Sequence, residues 1–339
     1  MTQKEIAETL NVSIATVSLA LSDSPKISDI TKEKIKDFVR VVKYRPNVIA
    51  KNLATGKTWT IGIIFPSITH SFYGELVREI QLNLKDKNYI GFYLPIEIFE
   101  KNQDAIDILL NRKVDGIIAT QFNIEEVIRL QDEKIPIVLY KFMGYPIDID
   151  YVEIDEYKGG VLVAQHLIKS GYKKFGFIGY IGTKRYAGYR DIIYQNNLIM
   201  NNEWIKQLGD VIPTDSRESG YEGMKKILLL KDKPEAVFAF NDMTAIGAMR
   251  AVYEAGLKVP EDIAIVGFDD IEEAKYLNIA LTTVNTSKKE IAKKLVEVIL
   301  EKIENKDKAP IQKIIIEPEL VVRESCGFYL KNKLKDMRM

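Results

Sequence analysis

The chain has one cysteine, Cys326, and two histidines, His70 and His166, among 339 residues. A single thiol excludes an internal disulfide framework and gives no support to a thiolate metal site. Two histidines so far apart make no convincing zinc ligand set, so neither metal nor cofactor is expected. No apolar run reaches the roughly 20 residues that span a bilayer, and no signal-peptide pattern opens the sequence. A cytoplasmic protein with no membrane attachment is therefore expected. Also missing are a G-x-G-x-x-G turn after a strand, a Walker A sequence and any plausible Ser/His/Asp or Cys/His set, which leaves an enzymatic function without residues to carry it. Net charge is absent too, with 48 Lys+Arg against 48 Asp+Glu, but it is unevenly spread. Residues 1–60 hold ten basic and six acidic side chains, a surplus of four, and the rest hold 38 and 42, a deficit of four. A modestly basic head on an acidic body is the sign expected if only the head meets phosphate.

At this length two or three domains are expected. In residues 2–21, Ile6 and Leu10 share a helix face, and Ala7 is small where two helices cross. Asn11 tolerates the left-handed backbone of a tight turn, and Ser13 is a natural N-cap for a second helix, 14–21, with Val17 and Leu21 inward. This spacing fits a helix-turn-helix or a plain helical hairpin of a bundle. Ser28 caps a third helix whose buried stripe is expected from Ile30, Ile35, Phe38 and Val42. Pro46 must stop it, because the residue before proline is pushed out of the helical region. Asn47 then caps a helix of about seven residues that Gly56 ends, too short to be stable alone in water.

From Thr60 onward, strand-length apolar runs alternate with amphipathic helices. The first series is 60–65, 89–94, 115–120 and 136–140; the second is 151–154, 175–180, 236–240 and 263–268. Helices are expected near 73–86, 124–133, 157–170, 186–200, 217–230 and 242–256. Continuous strand hydrophobicity means sheets covered on both faces, hence an α/β fold of doubly wound parallel sheets. Two such sets imply two Rossmann-like lobes, which bind ligands at the carboxyl ends of their strands.

Several strings resemble the lactose-repressor (LacI/GalR) family of bacterial regulators. They are V-S-x-x-T-V-S from Val12 to Ser18, Y-R-P-N at 44–47 and A-K-N-L at 50–53 in the head. In the body they are Asn241 to Ala251, Val259 to Asp270 and Leu281 to Val284, so that the resemblance runs to about residue 327. It implies a helix-turn-helix headpiece (1–46), a hinge helix and linker (47–59) and an effector-binding and dimerisation core of periplasmic-binding-protein type (60–327). Within the core, one lobe would comprise about 60–154 and 288–316, the other about 155–286 and 317–327, with crossings near 155, 286 and 317. Residues 328–339 have no counterpart and form a tail, either disordered or a short amphipathic helix.

The resemblance further implies a homodimer on a palindromic double-stranded DNA operator, with the hinge helix folding on binding. Leu53 matches the leucine that each subunit wedges into the minor groove, where bent DNA contacts more protein in return for the cost of unstacking. Tyr44, Asn47, Ala50 and Lys51 belong with it. The base-reading positions are Ile14, Ala15 and Leu19; many members have arginine at the position of Leu19, and without it the bidentate grip on guanine is lost. Apolar side chains there can contact thymine methyl groups, predicting an A·T-leaning operator with Ser13, Thr16 and Ser18 on phosphates. The alternative is a head drifted toward weak or altered DNA binding.

Carried over position by position, the effector cleft comprises Phe72, Tyr73, Thr120, Lys141, Arg185, Asp215, Asn241 and Asp269, with Asp242 capping the following helix instead. Phe72 and Tyr73 fit equally well as packing residues of a helix N-terminus. Relatives commonly have a sugar-binding aspartate where Lys141 stands, and an aromatic residue where Asp215 aligns. Lys141 and Arg185 aimed into one cleft would favour a sugar phosphate or sugar acid over a neutral small sugar. The competing reading pairs Lys141 with Asp215 or Asp269. The same architecture also serves sugar-binding receptor proteins without DNA-binding function.

Overall fold

The computed structural model describes residues 1–44, 52, 56–99, 102–142, 144, 146–209, 216–305 and 309–327. The chain divides into two compact units, Met1–Thr58 and Trp59–Met339.

In the first unit, α1 (Gln3–Leu10) opens on a reciprocal cap: the Thr2 hydroxyl accepts from the Glu5 amide, and the Glu5 carboxylate accepts from the Thr2 amide at 2.8 Å. Asn11 ends it in the left-handed conformation, with φ of 55°. Ser13 caps α2 (Ile14–Leu21), and Ser28 caps α3 (Asp29–Val41), each accepting from the amide three residues on. Ile6, Ala7, Val17, Ala20 and Ile35 make a small core, against which Phe38 and Tyr44 pack. The expected stripe on α3 is wrong at one position: Ile30 is 84% exposed. Five residues at 100° each set it about 140° from Ile35, off the buried face.

The second unit is a doubly wound α/β body. Its elements are β1 (Thr60–Phe65), α4 (Ser71–Lys85), β2 (Ile90–Pro95), α5 (Asn102–Asn111), β3 (Gly116–Ala119), α6 (Ile124–Asp132), β4 (Ile137–Tyr140) and β5 (Asp150–Ile154). There follow α7 (Glu156–Lys169), β6 (Phe175–Gly179), α8 (Lys184–Gln195), β7 (Ile205–Gln207), α9 (Arg217–Leu228), β8 (Ala236–Ala239), α10 (Asp242–Glu254) and β9 (Ala264–Val266). The chain closes with β10 (Thr283–Asn285), α11 (Lys288–Asn305), β11 (Lys313–Ile316) and β12 (Glu319–Val321). One parallel sheet has the order β11-β5-β4-β3-β1-β2, the other β7-β6-β8-β9, while β10 and β12 pair antiparallel.

Strand β1 shows why the apolar runs are continuous. Ile61, Ile63 and Phe65 enter one core while Ile64 enters the core on the opposite face. Strand 150–154, which reads as the start of the second apolar series, instead joins the first sheet between β4 and β11. Chain passages after Ile154, Asn285 and Ile316 link the two sheets.

Helices α7 and α8, and likewise α9 and α10, cross at reciprocal glycines. A Cβ on Gly160 would lie 1.9 Å from the Arg185 carbonyl oxygen, and one on Gly188 would lie 2.0 Å from that of Tyr157. Gly220 and Gly247 stand in the same relation to the carbonyls of Thr244 and Arg217. Backbone cannot yield as a flexible side chain can, so a methyl group forces the helices apart. Gly188→Ala should therefore destabilise the body by about 1–3 kcal/mol or more, measured by urea unfolding. Gly182→Ala, which meets nothing within 4 Å, should be near neutral; equal losses for the two would refute the crossing argument.

Candidate effector and DNA-binding sites

In the head, Ile14, Ala15 and Ser18 are exposed on α2, Leu19 is half-buried beside them, and Val17 and Ala20 turn inward. The Ser13 hydroxyl accepts from the Thr16 amide at 3.0 Å and shares a hydrogen bond with the Thr16 hydroxyl, so this pair organises the start of the helix. Tyr44 packs on the head core, half-buried. Asn47, Ala50, Lys51 and Leu53, and with them the hinge helix, lie outside the described residues.

In the body, the site is assembled at the carboxyl ends of strands. Arg185, on the first turn of α8, is 3% exposed. Its guanidinium lies 3.9 Å from the Phe268 ring centroid and 4.5 Å from that of Phe240. Nη1 donates to the Phe240 carbonyl at 2.6 Å and Nη2 to Glu156 Oε1 at 2.6 Å. Lys141, just past β4, donates to that same Oε1 at 2.7 Å. The partner of Lys141 is thus Glu156 and not Asp269; Asp215 lies outside the described residues. Burial alone would raise the Glu156 carboxyl, but Arg185 and Lys141 outweigh it and hold it far below the usual carboxylate range.

Asp269 is 7% exposed, and no donor among the described residues reaches its carboxylate. Burial pushes it up to about 6 against the opposing pull of Arg185, Lys141 and Lys288. Its backbone has φ of 110°, followed by 50° at Asp270, conformations that L-residues rarely adopt. Lys288 fixes this bend by donating to the carbonyls of Asp269 (2.6 Å) and Asp270 (2.7 Å), and Arg323 pairs with Asp270 at 2.6 Å. Tyr73 and Tyr140 complete the cluster. Burial raises the phenol of each, Asp269 adds to both shifts, and each therefore stays a neutral hydroxyl.

The remaining expected residues are placed as follows. Phe72 is 3% exposed, packed edge-on against Tyr73 and tilted on Tyr140. Thr120 is buried with its hydroxyl donating to the Tyr140 carbonyl at 2.8 Å. Asn241, not Asp242, caps α10: its Oδ1 accepts from the amide and hydroxyl of Thr244 and from the Ser216 hydroxyl. Asp242 is buried one step further in, accepting from the Thr283 hydroxyl and the Ile271 amide. The structure thus gathers Tyr73, Lys141, Arg185 and Asp269, and adds Glu156, Tyr140 and Lys288. An acidic residue opening a helix reads as ordinary dipole complementation, which conceals Glu156 in the sequence.

Buried polar side chains gathered at the strand ends of two parallel-sheet lobes, in a chain that opens on a helix-turn-helix, define a ligand-responsive regulator class. Residues 164–326 match the periplasmic binding protein-like domain, and residues 2–47 match the bacterial regulatory proteins of the lacI family. The chain is 30% identical over 333 residues to the HTH-type transcriptional repressor PurR of Actinobacillus pleuropneumoniae serotype 3, covering 96% of this chain and 98% of that protein. The PurR of Haemophilus influenzae strain PittEE is 30% identical over 335 residues, again covering 96% and 98%. Among solved structures, the lac repressor dimer bound to operator and the anti-inducer ONPF has a TM-score of 0.81 at 23% identity, covering 96% of this chain and 99% of that one. A LacI-family regulatory protein from Chloroflexus aggregans has a TM-score of 0.66 at 26% identity, covering 79% and 98%. The chain belongs to the LacI family of transcriptional regulators, a family of DNA-binding repressors and not of enzymes.

The raised Asp269 fixes a pH dependence. Its carboxyl titrates at about 6 in the fold and near 4 when unfolded, so between these values the native state binds more protons and stability falls as pH rises. Relative to the wild type, Asp269→Asn should lose less stability from pH 4 to pH 6 in thermal melts; parallel curves would refute the assignment.

Proposed function

We propose that this protein is an operator-binding repressor whose DNA affinity is set by a small sugar or sugar-derived effector bound between Tyr73, Tyr140, Arg185 and Asp269. The observation that carries this reading is an incomplete set of hydrogen bonds. Arg185 Nε is buried without a partner, and neither the Asp269 carboxylate nor the Tyr73 or Tyr140 hydroxyl finds one among the described residues. Buried polar groups are normally satisfied, and groups of both signs converging at strand ends ask for a ligand that offers hydroxyls to all of them. Aromatic rings beside them suit a sugar-ring face.

In this reading the body acts as a homodimer on a palindromic operator, with about 60–154 and 288–316 as one lobe and about 155–286 and 317–327 as the other. The exposed apolar Ile14 and Ala15, with Leu19 at their margin, favour thymine-rich half-sites. A sugar receptor without DNA function has no use for the capped helix-turn-helix at residues 3–21.

The test is a mobility shift of the full-length protein on DNA upstream of its own gene, at stated salt because phosphate contacts are screened. A specific shift that a sugar panel modulates is expected. Leu53→Ala should weaken that shift while leaving sugar binding unchanged. Absence of any specific operator shift at low salt would overturn the repressor reading, and an unchanged shift in Leu53→Ala would overturn the wedge.

A further inference from the structure

We infer that Glu156 is the specificity-determining residue of this cleft: its carboxylate occupies the point on which Lys141 and Arg185 converge, so that the cleft admits neutral effectors and turns away phosphorylated or carboxylated ones. The inference rests on the reading of the cleft as the effector site.

Both cations bond the same oxygen, Glu156 Oε1, at 2.7 and 2.6 Å. Two positively charged donors meeting at one oxygen is the arrangement that binds an oxyanion, and here the protein supplies the oxyanion itself. The three groups are enclosed to different degrees. Arg185 is pinned between Phe240 and Phe268 and tied to the Phe240 carbonyl. Glu156 opens α7 beside Asp155, which caps the Lys158 amide at 2.9 Å, and its side chain is 14% exposed. Lys141 is the most open of the three, its side chain 32% exposed.

Local charge agrees. The carboxylates of Glu156 and Asp269 balance the cations Arg185 and Lys141, and Lys288 is answered by Glu75 at 3.3 Å. Among the described residues of the cluster an added anion would find each cation already matched, and it would face the buried Asp269 carboxylate. To take over the donors that Lys141 and Arg185 Nη2 give to one oxygen it must evict Glu156 and leave that charge buried without a partner. A neutral ligand meets no such obstacle and can donate to Asp269.

The test uses the full-length protein, Glu156→Gln, and inorganic phosphate against chloride at matched ionic strength, read by calorimetric titration and thermal melts. Gln keeps the shape and removes the charge, so the variant should bind phosphate roughly tenfold or more tightly than the wild type, as freed cations take up the ion. Glu156→Gln combined with Lys141→Met should lose that gain, which assigns the ion to the cleft and not to the basic head. Should Glu156→Gln melt without cooperativity in chloride, phosphate should restore a cooperative transition. Wild-type binding of phosphate as tight as that of the variant would overturn the inference. So would a folded variant with no gain, or an unfolded one that phosphate fails to rescue. The operator shift of the unmodified protein is read separately, so failure of the repressor reading is distinguishable from failure here.

Discussion

A single carboxylate, Glu156, ties the cleft together. It stands at the start of α7, the first segment to pass from one sheet toward the other, and it accepts from Lys141 beyond β4 and from Arg185 on α8. Removing one partner of such a buried set leaves an uncompensated charge, typically worth about 3–5 kcal/mol. The cluster is therefore more a constraint on position than a source of stability. It holds Arg185, whose Nε is buried without a partner, close enough to Asp269 for the two charges to influence each other.

The rest of the site follows from that constraint and from backbone strain placed around it. Lys141 and Asp269 both occupy left-handed conformations, each costing on the order of 1–3 kcal/mol. At Asp269 the compensation is visible: Lys288 holds two successive carbonyls and Arg323 grips Asp270, while the Asp269 amide donates to the Val284 carbonyl at 2.9 Å. Reciprocal glycines let α7 and α8 approach until backbone meets backbone, and so set how deeply Arg185 sits. Packing, strain and charge thus serve the same few ångströms of space.

How much of this can be read from residues alone depends on range. The apolar runs of β1, β3 and β4 are legible because strands covered on both faces leave no polar positions to blur them. The caps at Ser13 and Ser28 are legible because a cap is decided within three residues. Ile30 departs from the expected stripe because its five-residue spacing from Ile35 carries it off the buried helix face. The short ribbon of β10 and β12 has three residues per strand, too few for a period to show. Glu156 and Lys288 were hidden for a different reason. Their partners lie 15 to 213 positions away, and only the folded backbone brings Glu156 to Lys141 and Lys288 to Glu75. The exchange of Asn241 for Asp242 as the cap shows the limit even at short range, since adjacent residues of equal capping ability are separated only by which one Thr283 and Ile271 claim.

Hydrogen bonds also join the two lobes near their strand ends. Asn241 donates toward His70 at 3.4 Å, Ser71 donates to Glu273 at 2.8 Å, and the Glu272 amide donates to Glu75 at 2.8 Å. These bonds join the N-terminal end of α4, in one lobe, to loops of the other. The chain also passes between the lobes three times, after Ile154, Asn285 and Ile316. A ligand shifts the balance between two arrangements of the lobes only by the difference between its affinities for them, commonly 1–3 kcal/mol in coupled systems. Charged contacts add to these three bonds, Lys141 to Glu156, Lys184 to Glu153 and Lys288 to the carbonyls of Asp269 and Asp270. Contacts between the lobes are therefore spread over neutral and charged groups alike, so that no single bond among them fixes how the lobes meet.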